Sequence, residues 1–166
     1  MTITTLKDLY IDQLQDIYSA NKQSLEATKQ LHAKATSDEL RSALEDGVKG
    51  ISEGMVQVRN LIESHDANPN GEFCKGMEGL VKEAKAHAIN ADIDDKDVLD
   101  ASIITQYQRM THYGLAGYGT AVAFANRLGL TGDAETLQNC LDNTYDGDRR
   151  MTDIATGKVN KEALAA

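Results

Sequence analysis

Glu53, Asp148 and His112 are the side chains best suited by type and place to hold a cation in this sequence. They fall near the middles of three long helical stretches, with Glu26 and Asp142 further off. Dimetal centres in helical bundles use inward glutamates together with Glu-x-x-His or Glu-x-x-Glu pairs, because several negative oxygens must balance the metal charge. No stretch here carries Glu-x-x-His, and none carries Glu-x-x-Glu on its inner stripe. Two scattered acids do not make a dimetal site. At best Glu53, His112 and Asp148 hold one weakly bound ion, and only by turning inward together.

The other residues at these helix middles are of a different kind. They are Asn21; Gly47, Gly50 and Gly54; Thr111, Gly114 and Gly117; and Asn143, Thr144 and Gly147. A bundle core takes Leu, Ile, Val and Ala at such positions. A glycine inside a helix costs about 1 kcal/mol against alanine. The recurrence of such unsuited residues at one depth of every long helix marks a site, or the remains of one. Close helix packing is the plainer account of Gly117 and Gly119. Asn21 reads as a buried amide bonded to Tyr107, Tyr145 or Thr111 rather than as a ligand. Tyr18, Tyr107, Tyr113 and Tyr145 are the side chains available to fill the space.

Periodicity supplies the elements that position these residues. Steps of three and four predict helices near Thr5–Ala35, Ser37–His65, Val98–Gly129 and Gly132–Thr156. The first stripe runs from Leu6 through Tyr10, Leu14 and Ile17 to Leu31 and Ala35; the fourth includes Leu137, Leu141, Tyr145, Asp148 and Met151. Thr5 with Asp8, and Thr36 with Glu39, read as capping boxes. Asp66-Ala-Asn-Pro-Asn-Gly71 breaks the chain, a shorter helix follows near Phe73–Asn90, and Asp92-Ile-Asp-Asp95 leads into the third long helix. Gly129 and Gly132 bracket a tight turn. Short connections predict two antiparallel hairpins, and the long crossover between them, with its own short helix, is the connectivity of ferritin-like bundles.

The chain has 166 residues and one proline, which predicts one all-α domain spanning 1–166. It has no long apolar run and no basic-then-apolar start, so neither a membrane span nor a signal peptide is expected, and the cytoplasm is the default. A formal charge of −9 and a pI near 4.8, without a basic cluster, argue against nucleic-acid and anionic-membrane partners. Cys74 and Cys140, far apart, read as reduced core or half-buried thiols.

Five segments carry a family resemblance: Asp8-Leu-Tyr-Ile-Asp-Gln-Leu, Tyr18-Ser-Ala-Asn-Lys-Gln23, Met77-Glu-Gly-Leu-Val-Lys-Glu-Ala84, His112-Tyr-Gly-Leu-Ala-Gly-Tyr-Gly119 and Met151-Thr-Asp-Ile-Ala155. Together, from Leu6 to about Asn160, the chain resembles the YciE/YciF family of ferritin-like bacterial stress proteins, the YciF branch most closely. The resemblance implies a rubrerythrin-like fold and a dimer. It also implies glutamates where this chain has Asn21, Gly50, Thr111, Gly114 and Asn143. The family's Tyr-x-Ala-Glu-Lys-Gln has Asn21 at its glutamate, and its Glu-His-Tyr-Glu reads Thr111-His112-Tyr113-Gly114 here. These five are therefore vestigial ligand positions, and His112 is a packing histidine typical of the family.

The sequence thus leads to three classes of function. The first is a stress-associated homodimer without a working dimetal centre or other cofactor, not an enzyme, acting through an unknown protein partner. The second is a rubrerythrin-like dimetal oxidase or peroxidase. The third is a small-molecule binder that uses the space left at mid-bundle. Dimerisation rests on the resemblance, and on tyrosines and Met55, Met77 and Met110 that one bundle need not bury.

Overall fold

Thr5 and Asp8 cap the first helix reciprocally. The Asp8 N–H donates to Thr5 Oγ1 at 3.1 Å, and the Thr5 N–H donates to Asp8 Oδ2 at 2.9 Å. In the computed structural model, which describes residues 2–166, helix α1 then runs Leu6–Lys34. Helix α2 spans Asp38–Ser64, α3 Lys75–Ala84, α4 Lys96–Arg127, α5 Thr131–Ile154 and α6 Asn160–Ala165. A π-turn, Lys85–Ile89, extends α3, and another, Ala155–Val159, joins α5 to α6. No strand occurs among the described residues. The architecture is the expected all-α, ferritin-like bundle: α1 packs on α2 and α4, and α5 on α4 and α2, with α3 in the crossover between the hairpins.

Two local expectations need correction. The second helix is capped by Ser37, whose hydroxyl accepts from the Leu40 N–H at 3.3 Å, and not by a Thr36–Glu39 box. Thr36 is engaged elsewhere: its N–H and hydroxyl donate to buried Asp100 at 2.8 and 2.9 Å, and the Ser37 N–H donates there too at 2.9 Å. The short helix begins at Lys75 rather than Phe73, because the Cys74 thiol caps it by accepting the Met77 N–H at 3.3 Å. Phe73 is left 52% exposed.

The turn between α4 and α5 behaves as the glycines suggest. Gly129 takes φ +71°, and the Leu130 and Gly129 N–H groups donate to the Ala125 and Asn126 carbonyls at 2.9 and 3.1 Å. This arrangement closes the helix end with a left-handed residue, which favours glycine. At the same end of the bundle, Asp133 accepts from Tyr10 Oη at 2.8 Å and from His65 Nε2 at 2.7 Å, while Lys7 Nζ donates to His65 Nδ1 at 2.8 Å.

The apolar core forms two clusters rather than one. The first gathers Leu31, Leu40, Leu44, Met77, Ile103, Met110, Met151 and Ile154. The second gathers Tyr10, Leu14, Ile17, Val58, Ile62, Leu137 and Leu141. Between them lies the level of Asn21, Gly50, Gly114 and Asn143. Met77 and Met110 are 2% and 3% exposed, so one bundle does bury them, and the sequence argument for a dimer loses two of its methionines.

Candidate functional site: a cleft at mid-bundle

All four long helices and Met77 of α3 contribute to one cleft of about 630 Å³ between the two core clusters. Asn21, Gly50, Thr111, Gly114 and Asn143 all line it. Its mouth lies between α2 and α5. There the lining residues Asp46, Lys49, Gly50, Glu53 and Gln57 face Asn139, Asn143 and Asp146, and all of these are exposed. Arg150 of α5 spans one end of the mouth, donating to Asp46 at 2.6 Å and to Ser42 at 3.1 Å. That contact holds the Asp46 carboxyl below its ordinary range. Inward, Ile17, Ala20, Ala43, Met77 and Met110 give mostly apolar walls.

Glycines and tyrosines fit together at this level. A Cβ added to Gly54 would lie 2.7 Å from Tyr118 Oη, and one added to Gly47 would lie 2.5 Å from Tyr107 Oη. Both hydroxyls occupy space that any larger residue would claim. Tyr118 Oη also accepts a hydrogen bond from Asn21 Nδ2 at 2.8 Å. The partner of Asn21 is therefore Tyr118, and not Tyr107, Tyr145 or Thr111 as expected. Thr111 instead donates its hydroxyl to the Tyr107 carbonyl at 3.0 Å, and Tyr145 is 43% exposed on the outer surface. Burial pushes both the Tyr107 and Tyr118 phenols up, so they stay protonated as neutral donors. Burial also pushes the Cys140 thiol up to about 11.

The three residual ligand candidates do not converge. Glu53 stands exposed at the mouth. His112 and Asp148 pair with each other at 3.1 Å along the α4–α5 seam and do not line the cleft, and the His112 side chain is 63% exposed. Asp148 is further held by Gln108 Nε2, which donates to its Oδ1 at 3.0 Å. The joint inward turn that even one weakly bound ion would require is not met, because α5 presents Asn143 and Gly147 to the cleft and Asp148 to α4. Among the described residues, no three His, Cys, Asp or Glu side chains come together closely enough to hold a metal ion. The exposed acids Asp46, Glu53 and Asp146 at the mouth do not fit the inward carboxylate set of a dimetal bundle.

Of the glycines assigned to close packing, a Cβ added to Gly117 would lie 3.0 Å from Ile17 Cγ1, whereas one on Gly119 would meet nothing within 4 Å. The residues that sequence reasoning passed over are Thr28, Tyr118 and Arg150. Thr28 is fully buried, lines the inner end of the cleft, and its hydroxyl has no hydrogen-bond partner. A threonine within an otherwise apolar stripe was the signal available for it. Tyr118 follows Gly117 on α4, and its reach across to α1 and α2 has no local signal in the sequence. Arg150 gave no sign, because its pairing with Asp46 depends on the α2–α5 approach.

Comparison with known proteins agrees with this architecture over the whole chain. Residues 5–164 match the family described as a domain of unknown function, DUF892. Protein YciF of Escherichia coli (strain K12) is 33% identical over 165 residues, covering 98% of each chain. The crystal structure of the E. coli stress protein YciF superposes with a TM-score of 0.88 at 30% identity, covering 96% of this chain and 99% of that one. YcfI from Rhodopseudomonas palustris gives a TM-score of 0.84 at 30% identity, over 90% of this chain and 94% of its own. With the helix order, the crossover and the segment matches all in agreement, the chain belongs to the YciF family, that of the domain DUF892.

Proposed function

We propose that this chain is a stress-associated YciF-type protein without a dimetal centre, whose mid-bundle level binds a small molecule and catalyses no redox reaction. The observation that carries this reading is the cleft itself. The positions where the resemblance implies glutamates line a mostly apolar space of about 630 Å³, held open by glycines and faced by neutral hydroxyls. Its size falls among small-molecule sites, which are mostly apolar with a few placed polar groups. A dimetal pair there would leave buried positive charge almost uncompensated, which is costly. The stress association comes from the relative described as a stress protein.

The test is metal analysis of protein purified without chelator, in parallel with a family member that carries the glutamates. The expected result is far less than one iron or manganese per chain here; two per chain would overturn the reading. Action as a homodimer through a protein partner is a second reading. It is supported by exposed Phe73, which with Tyr18 and Pro69 lines a shallow surface groove. Light scattering at micromolar concentration giving a mass near 18.1 kDa would count against it.

A further inference from the structure

We infer that the cleft selects an uncharged, flat ring compound bearing a carbonyl oxygen, which the hydroxyl of Tyr118 recognises as a donor. The inference rests on the binding reading above and goes on to name the ligand's chemistry. Charge is excluded by where the ionised groups lie. Asp46, Lys49, Glu53, Asp146 and Arg150 are the charged residues that line the cleft. Asp46 and Arg150 pair at 2.6 Å, Lys49 stands 3.7 Å from Glu45, and all but partly buried Arg150 are exposed. The inner end offers no counter-charge to an ion, and burying an unpaired charge is expensive.

Donor and acceptor roles then decide the polarity of the ligand. The Tyr118 oxygen already accepts from Asn21, so its own proton is the one free to be given. The Thr28 hydroxyl is fully buried with no partner and is closed off from the cleft as well, so it takes no part in recognition. Tyr107 presents another hydroxyl against bare Gly47 backbone, two turns of α2 or about 10 Å from the Gly54 level of Tyr118, so one carbonyl meets only one of the two. A carbonyl oxygen has two lone pairs and no proton, and so complements donors. Flatness follows from the α2 and α4 walls. A Cβ on Gly50 would meet nothing within 4 Å, and on Gly114 only Thr144 Cγ2 at 4.0 Å, so bare backbone faces the cleft and a ring can lie against it.

Three naphthalenes of similar size separate the alternatives by calorimetry on the full chain: 2-acetylnaphthalene, 2-ethylnaphthalene and the anion 2-naphthoate. The expected order has 2-acetylnaphthalene tighter than either of the others by about tenfold or more, in line with a lost buried hydrogen bond or an unpaired charge. Tyr118→Phe should narrow the gap between the acetyl and ethyl compounds. It should leave the affinity for 2-ethylnaphthalene unchanged, so a folding defect cannot mimic the binding result. Gly50→Phe, projecting into open space, should abolish binding of all three without unfolding the helix. Equal or tighter binding of the hydrocarbon or the anion would overturn the carbonyl assignment and leave the binding reading standing. No binding of any probe, or binding indifferent to Gly50→Phe, would overturn both.

Discussion

Gly50→Ala and Gly54→Ala are the same substitution one helical turn apart in α2, and they are expected to change stability in opposite directions. At Gly50 the added methyl meets nothing within 4 Å. Only helix propensity acts there, so the change should stabilise the protein by about 1 kcal/mol. At Gly54 the methyl would lie 2.7 Å from Tyr118 Oη, whose ring is 4% exposed and cannot swing into solvent. Making room costs about 1–3 kcal/mol of overpacking, and breaking the Asn21–Tyr118 bond costs about 1 kcal/mol more. Against the same propensity gain, the net is a loss of about 1–3 kcal/mol. At this chain length 1 kcal/mol moves the melting temperature by about 2–4 °C, so calorimetry resolves the two variants easily. Tyr118→Phe supplies the control. Once the hydroxyl is gone, the next atoms of the ring and of Asn21 lie 3.8 and 3.9 Å from the new methyl, an ordinary contact. In the Tyr118→Phe background, Gly54→Ala should therefore lose most of its cost. Gly47→Ala should not be rescued fully by Tyr107→Phe, because the Tyr107 Cζ and Cε2 atoms remain within 3.3 Å. If both alanines shift the melting temperature in the same direction, or if Tyr118→Phe leaves the Gly54→Ala penalty intact, the glycine–tyrosine reasoning fails.

Asp100→Ala should cost about 2–4 kcal/mol in urea unfolding, because it strips three hydrogen bonds from the turn that joins α1 to α2 and leaves their donors without a partner; a change under 1 kcal/mol would refute that assignment. Asp8 is held below its ordinary value of 3.8, first by the Thr4 N–H and then by the Thr4 and Thr5 hydroxyls. A depressed carboxylate contributes stability that is present above the unfolded pKa and lost as pH falls through the folded one. Asp8→Asn should thus flatten the fall in stability below about pH 4, and an unchanged acid limb would count against it. Cys140, pushed up to about 11 by burial, should react with iodoacetamide at a rate that rises about tenfold per pH unit between 8 and 10, whereas a rate that bends over near pH 9 and is level by pH 10 would show an unperturbed thiol.

Much of the fold was legible because it rests on local signals. The Thr5–Asp8 cap, the Gly129 turn and the three-four stripes each act within a turn or two of helix. The connection lengths then dictate which helices are neighbours. What failed depended on the direction in which a side chain leaves its helix. Tyr145 and Asp148 share the apparent inner stripe of α5, yet Tyr145 lies exposed and Asp148 turns to α4, because a stripe over a long helix drifts by tens of degrees. Thr36 and Asp100, 64 positions apart, had to be brought together before their bond was visible. The mid-bundle level was legible as an anomaly of composition. Its meaning was not, because whether missing side chains leave a filled core or a space depends on how far Tyr107 and Tyr118 reach.

The three glycines on the inner face of α2 differ in what requires them. Gly47 and Gly54 each make room for a tyrosine hydroxyl, so the propensity they forgo is returned as packing within the chain. Gly50 receives nothing of the kind: no atom approaches its missing side chain, and it sits exposed at the mouth of the cleft. Stability alone would favour alanine there by about 1 kcal/mol. The unpartnered hydroxyl of Thr28 is a second departure from the most stable choice, behind the opposite end of the same cleft. Natural chains depart from local consistency mainly at functional sites. On the binding reading, Gly50 is accounted for by a ligand that must pass an entrance kept clear, whereas the Thr28 hydroxyl, closed off from the cleft, lies outside that ligand's reach. A bundle that had only lost its metal ligands would not need a glycine at the entrance.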